Sequence, residues 1–227
     1  VRPTLRGEDR RKSMKVVSIN GSPKGKNSNT NVMIEALEKG MQENKNEIIN
    51  IYLSEKNIQY CKGCYSCWFK TPGKCVINDQ MAELLDIIKD VDILIFGTPL
   101  YFNNISGMLK VFFDRMTAAG GDPHKNSSKG IAKKVKIILV ANCGFPYKEQ
   151  FAVISLWIKH IAKMMQSELI GEFYTTNGKV LTSPLQEQIQ SREKYLQYLE
   201  NCGRQYSEEN ELTIEQKALM KNSILEF

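Results

Sequence analysis

The chain has no apolar run approaching the roughly 18 residues that a membrane span needs. Its first residues also lack the apolar centre of a signal peptide. Both absences point to a cytoplasmic protein with no membrane partner. Histidine is scarce: His124 and His160 are the only two, and neither stands beside a serine, an aspartate or a carboxylate pair that would suggest hydrolysis. His160 lies in a lysine-rich helical stretch and reads as solvated. The common nucleotide loops are missing too. There is no G-x-G-x-x-G, and Gly21, Gly25 and Lys26 have neither the spacing nor the following Ser/Thr of a Walker loop. Internal repeats are absent.

Basic charge clustered for nucleic acid is also missing. Of the formal +6, half sits in residues 1–13, where five basic residues face two acidic ones. That segment has almost no apolar residues and Met14 directly precedes the first strand, so it reads as a disordered arm or an upstream extension. The remaining lysines are scattered among acids without interleaved surface aromatics, and no nucleic-acid partner is expected. What remains, 227 residues at 42% hydrophobic content, is enough for one full core with an appendage.

The most informative stretch is 16–30. A β-branched run reads as a buried strand, Gly21, Pro23 and Gly25 break it into a loop, and a helical pattern runs from Asn31 to Gln42. A helix start is an anion site, with free N–H groups and the positive end of the dipole. Here Ser22, Asn27, Ser28, Asn29 and Thr30 can all point at one phosphate, and a loop so rich in hydroxyls suits a terminal monophosphate. The alternative is a cap cluster that merely starts a helix.

Further strands are expected at 47–53, 92–97, 135–141 and 168–174, the last at a sheet edge. Helices are expected from Asp79, as N-cap, through Ile88, at 107–115 with Asp114 and Arg115 as a helix-end pair, and at 149–165. Thr98-Pro99 should stop the third strand, and a polar loop should occupy 120–129. After Pro184 the chain turns helical, with a last helix from Thr213 to Phe227 opened by a capping box between Thr213 and Gln216. Five strands alternating with helices describe an α/β doubly wound five-stranded parallel sheet with helices on both faces. The expected division is 1–13, a domain at 14–184, and a C-terminal helical extension at 185–227. Ligands in such folds sit outside the carboxyl ends of the strands. The loops there are 21–30, 60–78, 99–106 and 143–147.

Four of the six cysteines form Cys61-x2-Cys64-x2-Cys67-x7-Cys75 within an unusually long connection. Three thiolates spaced by two, with a fourth nearby, suit a four-sulfur cluster ligand set. Zinc on four thiolates and free thiols lining a pocket are the other readings.

Taken together, Asn20-Gly21-Ser22-Pro23, 27–30, Thr98-Pro99-Leu100-Tyr101, Leu109-Lys110, Phe113-Asp114-Arg115 and the cysteine loop resemble the flavodoxin-like NAD(P)H-dependent FMN reductase family. Within it they resemble the branch that includes the iron–sulfur flavoproteins, over residues 14–174. The resemblance implies that FMN is the cofactor, with its phosphate held by Ser22, Lys24, Asn27, Ser28, Asn29 and Thr30. It implies that Pro99, Leu100, Tyr101, Phe102 and Asn103 line one side of the isoalloxazine and that Cys143 and Gly144 approach its other edge. It further implies NAD(P)H as donor, a small electron acceptor such as a quinone or a free flavin, and a homodimer or homotetramer. Tyr195, Tyr198, Leu199 and Ile224 offer material for that contact, and Trp157 for either a contact or the core. On this reading Cys61, Cys64, Cys67 and Cys75 hold a 4Fe–4S cluster. The long gap before Cys75, with Trp68, Pro72 and Gly73 inside it, and Gly144-Phe145-Pro146 downstream also fit a plain flavin reductase. No catalytic acid or base is expected, because hydride transfer to a flavin requires none. Two other functions stay open: an electron carrier without a small substrate, and an interaction module that binds no flavin.

Overall fold

The computed structural model describes residues 13–120 and 135–227. His124, most of the expected 120–129 loop and nearly all of the expected N-terminal arm lie outside those residues. Five strands, β1 (Lys15–Asn20), β2 (Glu47–Tyr52), β3 (Ile93–Pro99), β4 (Lys136–Asn142) and β5 (Glu168–Thr175), form one sheet. All pairings are parallel, in the order β2-β1-β3-β4-β5. Between β1 and β3 the winding direction reverses, which is where an open α/β sheet leaves a crevice for ligand.

The helices are α1 (Asn29–Gln42), α2 (Ser66–Phe69), α3 (Met81–Ile87), α4 (Gly107–Arg115), α5 (Ala152–Met164), α6 (Gln186–Glu209) and α7 (Ile214–Leu219). Side chains alternate across the strands, so the sheet is buried on both faces. Val17, Ile19, Leu94 and Phe96 pack with Met81 and Leu84 of α3, Leu109 and Phe112 of α4, and Ile154 and Ile158 of α5. Val16, Ile93 and Ile95 pack with Met33, Ile34 and Leu37 of α1 and with Tyr195, Leu199 and Tyr206 of α6.

The 185–227 segment is therefore packed into the body, with α6 covering the sheet beside α1. The two helices touch through glycine: a Cβ on Gly40 would lie 1.9 Å from the Glu200 carbonyl oxygen, and one on Gly203 1.9 Å from that of Leu37. No residue larger than glycine permits this approach. Tyr195, Tyr198, Leu199 and Ile224, expected to serve a subunit contact, are instead buried within the chain. Their apolar area is already spent on the sheet.

Other boundaries shift. β3 runs through Pro99 instead of stopping before it, because a proline in the last strand position forfeits only its own N–H. The last expected helix, 213–227, is α7 followed by a separate 3-10 turn, Ile224–Glu226, and the capping box at Thr213 is present. Asp79 stands two residues before α3, where Oδ1 still accepts the Met81 N–H at 3.1 Å. His160 is exposed and Trp157 is half-buried edge-on against Phe113. Among the described residues no helix is long and apolar enough to cross a membrane.

Candidate functional site

The loop after β1 turns at Gly25, whose φ of +50° is cheap only for glycine. Asn20, at the strand end, stitches the loop closed: its Oδ1 accepts the Ser22 N–H at 2.9 Å and its Nδ2 reaches the Gly25 carbonyl and Ser28 Oγ at 3.4 Å. Ser28 is the N-cap of α1, with Oγ accepting from the Asn31 N–H at 3.0 Å and donating to the Gly25 carbonyl at 2.7 Å. Its side chain is thereby occupied. Thr30 Oγ1 accepts from Asn142 Nδ2 at 2.9 Å, and Asn29 Oδ1 accepts from Thr182 Oγ1 at 3.0 Å.

Ser22 is different. It is buried, its Oγ accepts the Lys24 N–H at 3.4 Å, and among the described residues its own proton has no acceptor. The first N–H groups of α1, at Asn29 and Thr30, have no carbonyl a turn earlier to bond, as at any helix start. Lys24 and Asn27 are exposed at the loop surface. Donors without acceptors, one of them buried, and a lysine beside a helix start are what a phosphate group needs, so these residues fit an FMN phosphate.

The loop after β3 is a tight hairpin. Tyr101 and Asn104 bridge, and Phe102 and Asn103 have φ of 47° and 57°, the paired left-handed conformation of a two-residue turn. Pro99 and Leu100 are half-buried, whereas Tyr101, Phe102 and Asn103 project into solvent. Ser106 ties this hairpin to the loop after β1. Its Oγ donates to the Gly21 carbonyl at 2.6 Å and caps α4 by accepting the Leu109 N–H at 3.2 Å, while its N–H reaches Thr98 Oγ1 at 2.9 Å. At the end of β4, Cys143 is buried and Gly144 exposed. Burial pushes the Cys143 thiol pKa up, and Sγ donates to the Phe145 carbonyl at 3.2 Å. Phe145 and Tyr147 stand exposed beyond it. The sequence motifs contained Asn20 and Thr98 without assigning them a role, and Ser106 and Asn142 escaped sequence reasoning. A polar residue ending an otherwise apolar strand was the available signal for Asn20 and Asn142.

The cysteine loop is moored at the opposite end of α4 from Ser106. Cys61 and Cys64 are exposed, and Cys67 and Cys75 are half-buried against the core. Burial first, then the charges of Cys75, Cys61 and Cys64, push the Cys67 pKa up. Hydrogen bonds from the Ser66 side chain and backbone lower that of Cys64. Among the described residues no three His, Cys, Asp or Glu side chains converge to grip a metal ion. Four thiols on one loop are nevertheless the donor set of a cubane cluster, whose ligands stand further apart than those of a single ion.

Arg115 holds that loop. It pairs with Asp79, not with Asp114, which pairs with Lys110 one turn back at 2.5 Å. Neighbouring positions on a helix point in different directions, so Asp114 turns to solvent while Arg115 turns inward. Nη1 donates to Asp79 Oδ2 and to the Gln59 carbonyl, both at 2.7 Å, and Nη2 to Asp79 Oδ1 at 3.0 Å. Asp79 Oδ2 also accepts the Gln59 N–H at 2.8 Å. Burial acts to raise the Asp79 pKa; the guanidinium and the N–H groups of Gln59 and Met81 override it and hold the carboxyl below its usual range. In the middle of the loop, Trp68 Nε1 donates to the Thr117 carbonyl at 2.8 Å.

Residues 14–145 match the family described as NADPH-dependent FMN reductase. An iron–sulfur flavoprotein of Archaeoglobus fulgidus is 35% identical over 133 residues, 59% of this chain and 57% of the relative. Another, of Methanocaldococcus jannaschii, is 39% identical over 102 residues, 45% of this chain and 51% of its own. The chain spans about half the length of the curated relatives it matches. An NAD(P)H:quinone oxidoreductase from Methanothermobacter marburgensis has a similar fold, with a TM-score of 0.61 at 17% identity, covering 86% of this chain and 97% of that one. So has an FMN-dependent NADH-azoreductase from Bacillus anthracis solved with FMN, at 0.63 and 16%, covering 86% and 99%. At such identities these two structures speak for the fold alone. With more than half of its length matched, the chain belongs to the flavodoxin-like NADPH-dependent FMN reductase family, and its sequence relatives include iron–sulfur flavoproteins.

Proposed function

We propose that the chain is an FMN-dependent oxidoreductase that takes hydride from NAD(P)H and passes electrons to a small acceptor such as a quinone or a free flavin. The observation that carries this reading is the Ser106 Oγ bond to the Gly21 carbonyl, which joins the phosphate loop to the β3 hairpin at the switch point of the sheet. One bound group with a phosphate at one end and a flat ring at the other suits that junction. The chemistry supplied by bound FMN is hydride acceptance and onward electron transfer.

The residues of this chain bind and orient. Ser22, Lys24, Asn27 and the N–H groups of Asn29 and Thr30 hold the phosphate, with Ser28 fixing the helix start that presents them. Pro99, Leu100, Tyr101, Phe102 and Asn103 flank one side of the ring, and Cys143 and Gly144 the other edge. An absorption spectrum of protein prepared without oxygen, followed by NAD(P)H oxidation with a soluble quinone, tests this. A colourless protein that neither binds added FMN nor oxidises NAD(P)H would overturn it.

A second reading, favoured by the four thiols carried on one loop, is an electron carrier in which Cys61, Cys64, Cys67 and Cys75 hold a 4Fe–4S cluster. Iron and acid-labile sulfide near zero after anaerobic preparation would remove its support. We also propose residues 14–184 as the FMN-binding unit and a homo-oligomeric assembly. A monomeric mass at micromolar concentration would exclude the latter.

A further inference from the structure

The connection from Gln59 to Asp79 carries all four grouped cysteines, and both of its feet rest on one side chain. The Arg115 guanidinium bonds to the carbonyl at the first foot and to the carboxylate at the second, and that carboxylate bonds back to the N–H of the first. The ring of bonds is closed and dry: the Arg115 and Asp79 side chains are 1% and 2% exposed. Residues 60–78 between the feet are exposed or half-buried throughout. A stretch that stays this exposed gains little from burial and needs its ends tied.

The guanidinium is not used up by this ring. Its Nε is buried without a hydrogen-bond partner among the described residues, and the Cys75 sulfur is its neighbour. A buried charge pair contributes little to stability compared with an apolar pair of the same size, so its retention calls for another account.

We propose that Arg115 is the positioning residue of the cysteine loop, tying its two feet together and placing a fixed positive charge beside Cys75. The inference rests on the iron–sulfur reading above. Four thiolates and their metal carry net negative charge, and reduction adds one more. A fixed cation at one ligand favours the reduced form and raises the potential. The charge is permanent because arginine does not deprotonate in proteins.

The test uses full-length wild type, Arg115→Lys, and the double variant Asp79→Asn with Arg115→Gln, all prepared without oxygen. FMN content monitors the fold. In metal-free protein, trypsin should cut after Lys62, Lys70 and Lys74 about tenfold faster in Arg115→Lys than in wild type, because a lysine has no fork to join two feet. After reconstitution, the double variant's cluster should titrate at a more negative potential by electron paramagnetic resonance, and Arg115→Lys should return it towards wild type. Wild-type cleavage rates together with an unmoved potential would overturn the proposal. A wild type that takes up no iron or sulfide removes the iron–sulfur reading instead; trypsin then decides alone, and equal rates would sink the mooring.

Discussion

At Glu38, on the underside of α1, a carboxyl is shut away from water with one oxygen unpartnered. Burial raises its pKa from 4.5 to about 7, hydrogen bonds from Ser18 and Asn50 oppose the rise, and the charge of Glu35 adds to it. Between those two values the native chain binds the proton that the unfolded chain has released, so stability falls as pH rises through that window and is level above it. The full difference is about 3 kcal/mol. Glu38→Gln should abolish it. Urea midpoints at about pH 5 and about pH 8 decide: wild type should be less stable at the higher pH and the variant should not. Ser22 carries the second expectation at this scale. Ser22→Ala should weaken FMN binding by about 1.5–3 kcal/mol, read by fluorescence titration of apoprotein, because a buried phosphate oxygen loses a charge-assisted donor. Undiminished affinity would take Ser22 out of the site. The sequence made Ser22, Ser28 and Thr30 look alike, as hydroxyls on one loop. Only the structure separates a helix cap, a tie to Asn142 and an unspent donor, since these roles depend on partners outside the loop.

Among the elements, α1 and α6 are the pair whose fit is tightest. A methyl group on Gly203 would stand 1.9 Å from a backbone carbonyl oxygen, and neither helix has a flexible side chain there to yield. Gly203→Ala should therefore cost at least the 1–3 kcal/mol typical of overpacking, with the melting temperature falling roughly 2–4 °C per kcal/mol. Gly107→Ala is the matched control, since nothing lies within 4 Å of its added carbon. Calorimetry showing equal losses would mean that the helices separate freely. Periodicity made the strands and most helices legible, because burial of one face imprints itself locally on the sequence. That α6 lies along α1 was not legible. Its apolar residues look the same whether they cover this sheet or a second subunit.

For the whole molecule, a ligand that binds only the folded chain raises stability by mass action. FMN at about one hundred times its dissociation constant should add about 2.7 kcal/mol and shift the melting temperature upward by about 5–10 °C. NAD(P)H without FMN should not. A thermal scan that ignores FMN would contradict the proposed site as a whole.

The order of strands and helices, the hydroxyl-rich loop after β1 and the cysteine spacing are written within short stretches, where each residue's partners are a few positions away. The sequence alone was enough for them, and through them for the family. Tertiary structure decided what distant residues do to one another. It paired Arg115 with Asp79, 36 positions away, and joined Ser106 to Gly21, 85 positions away. Gly40 came against Glu200 and Gly203 against Leu37, and the α6 tyrosines went into the core. Such contacts follow from sheet order and from the rotation of each helix about its axis. Many arrangements would satisfy the same local pattern, and only packing of the complete chain selects one.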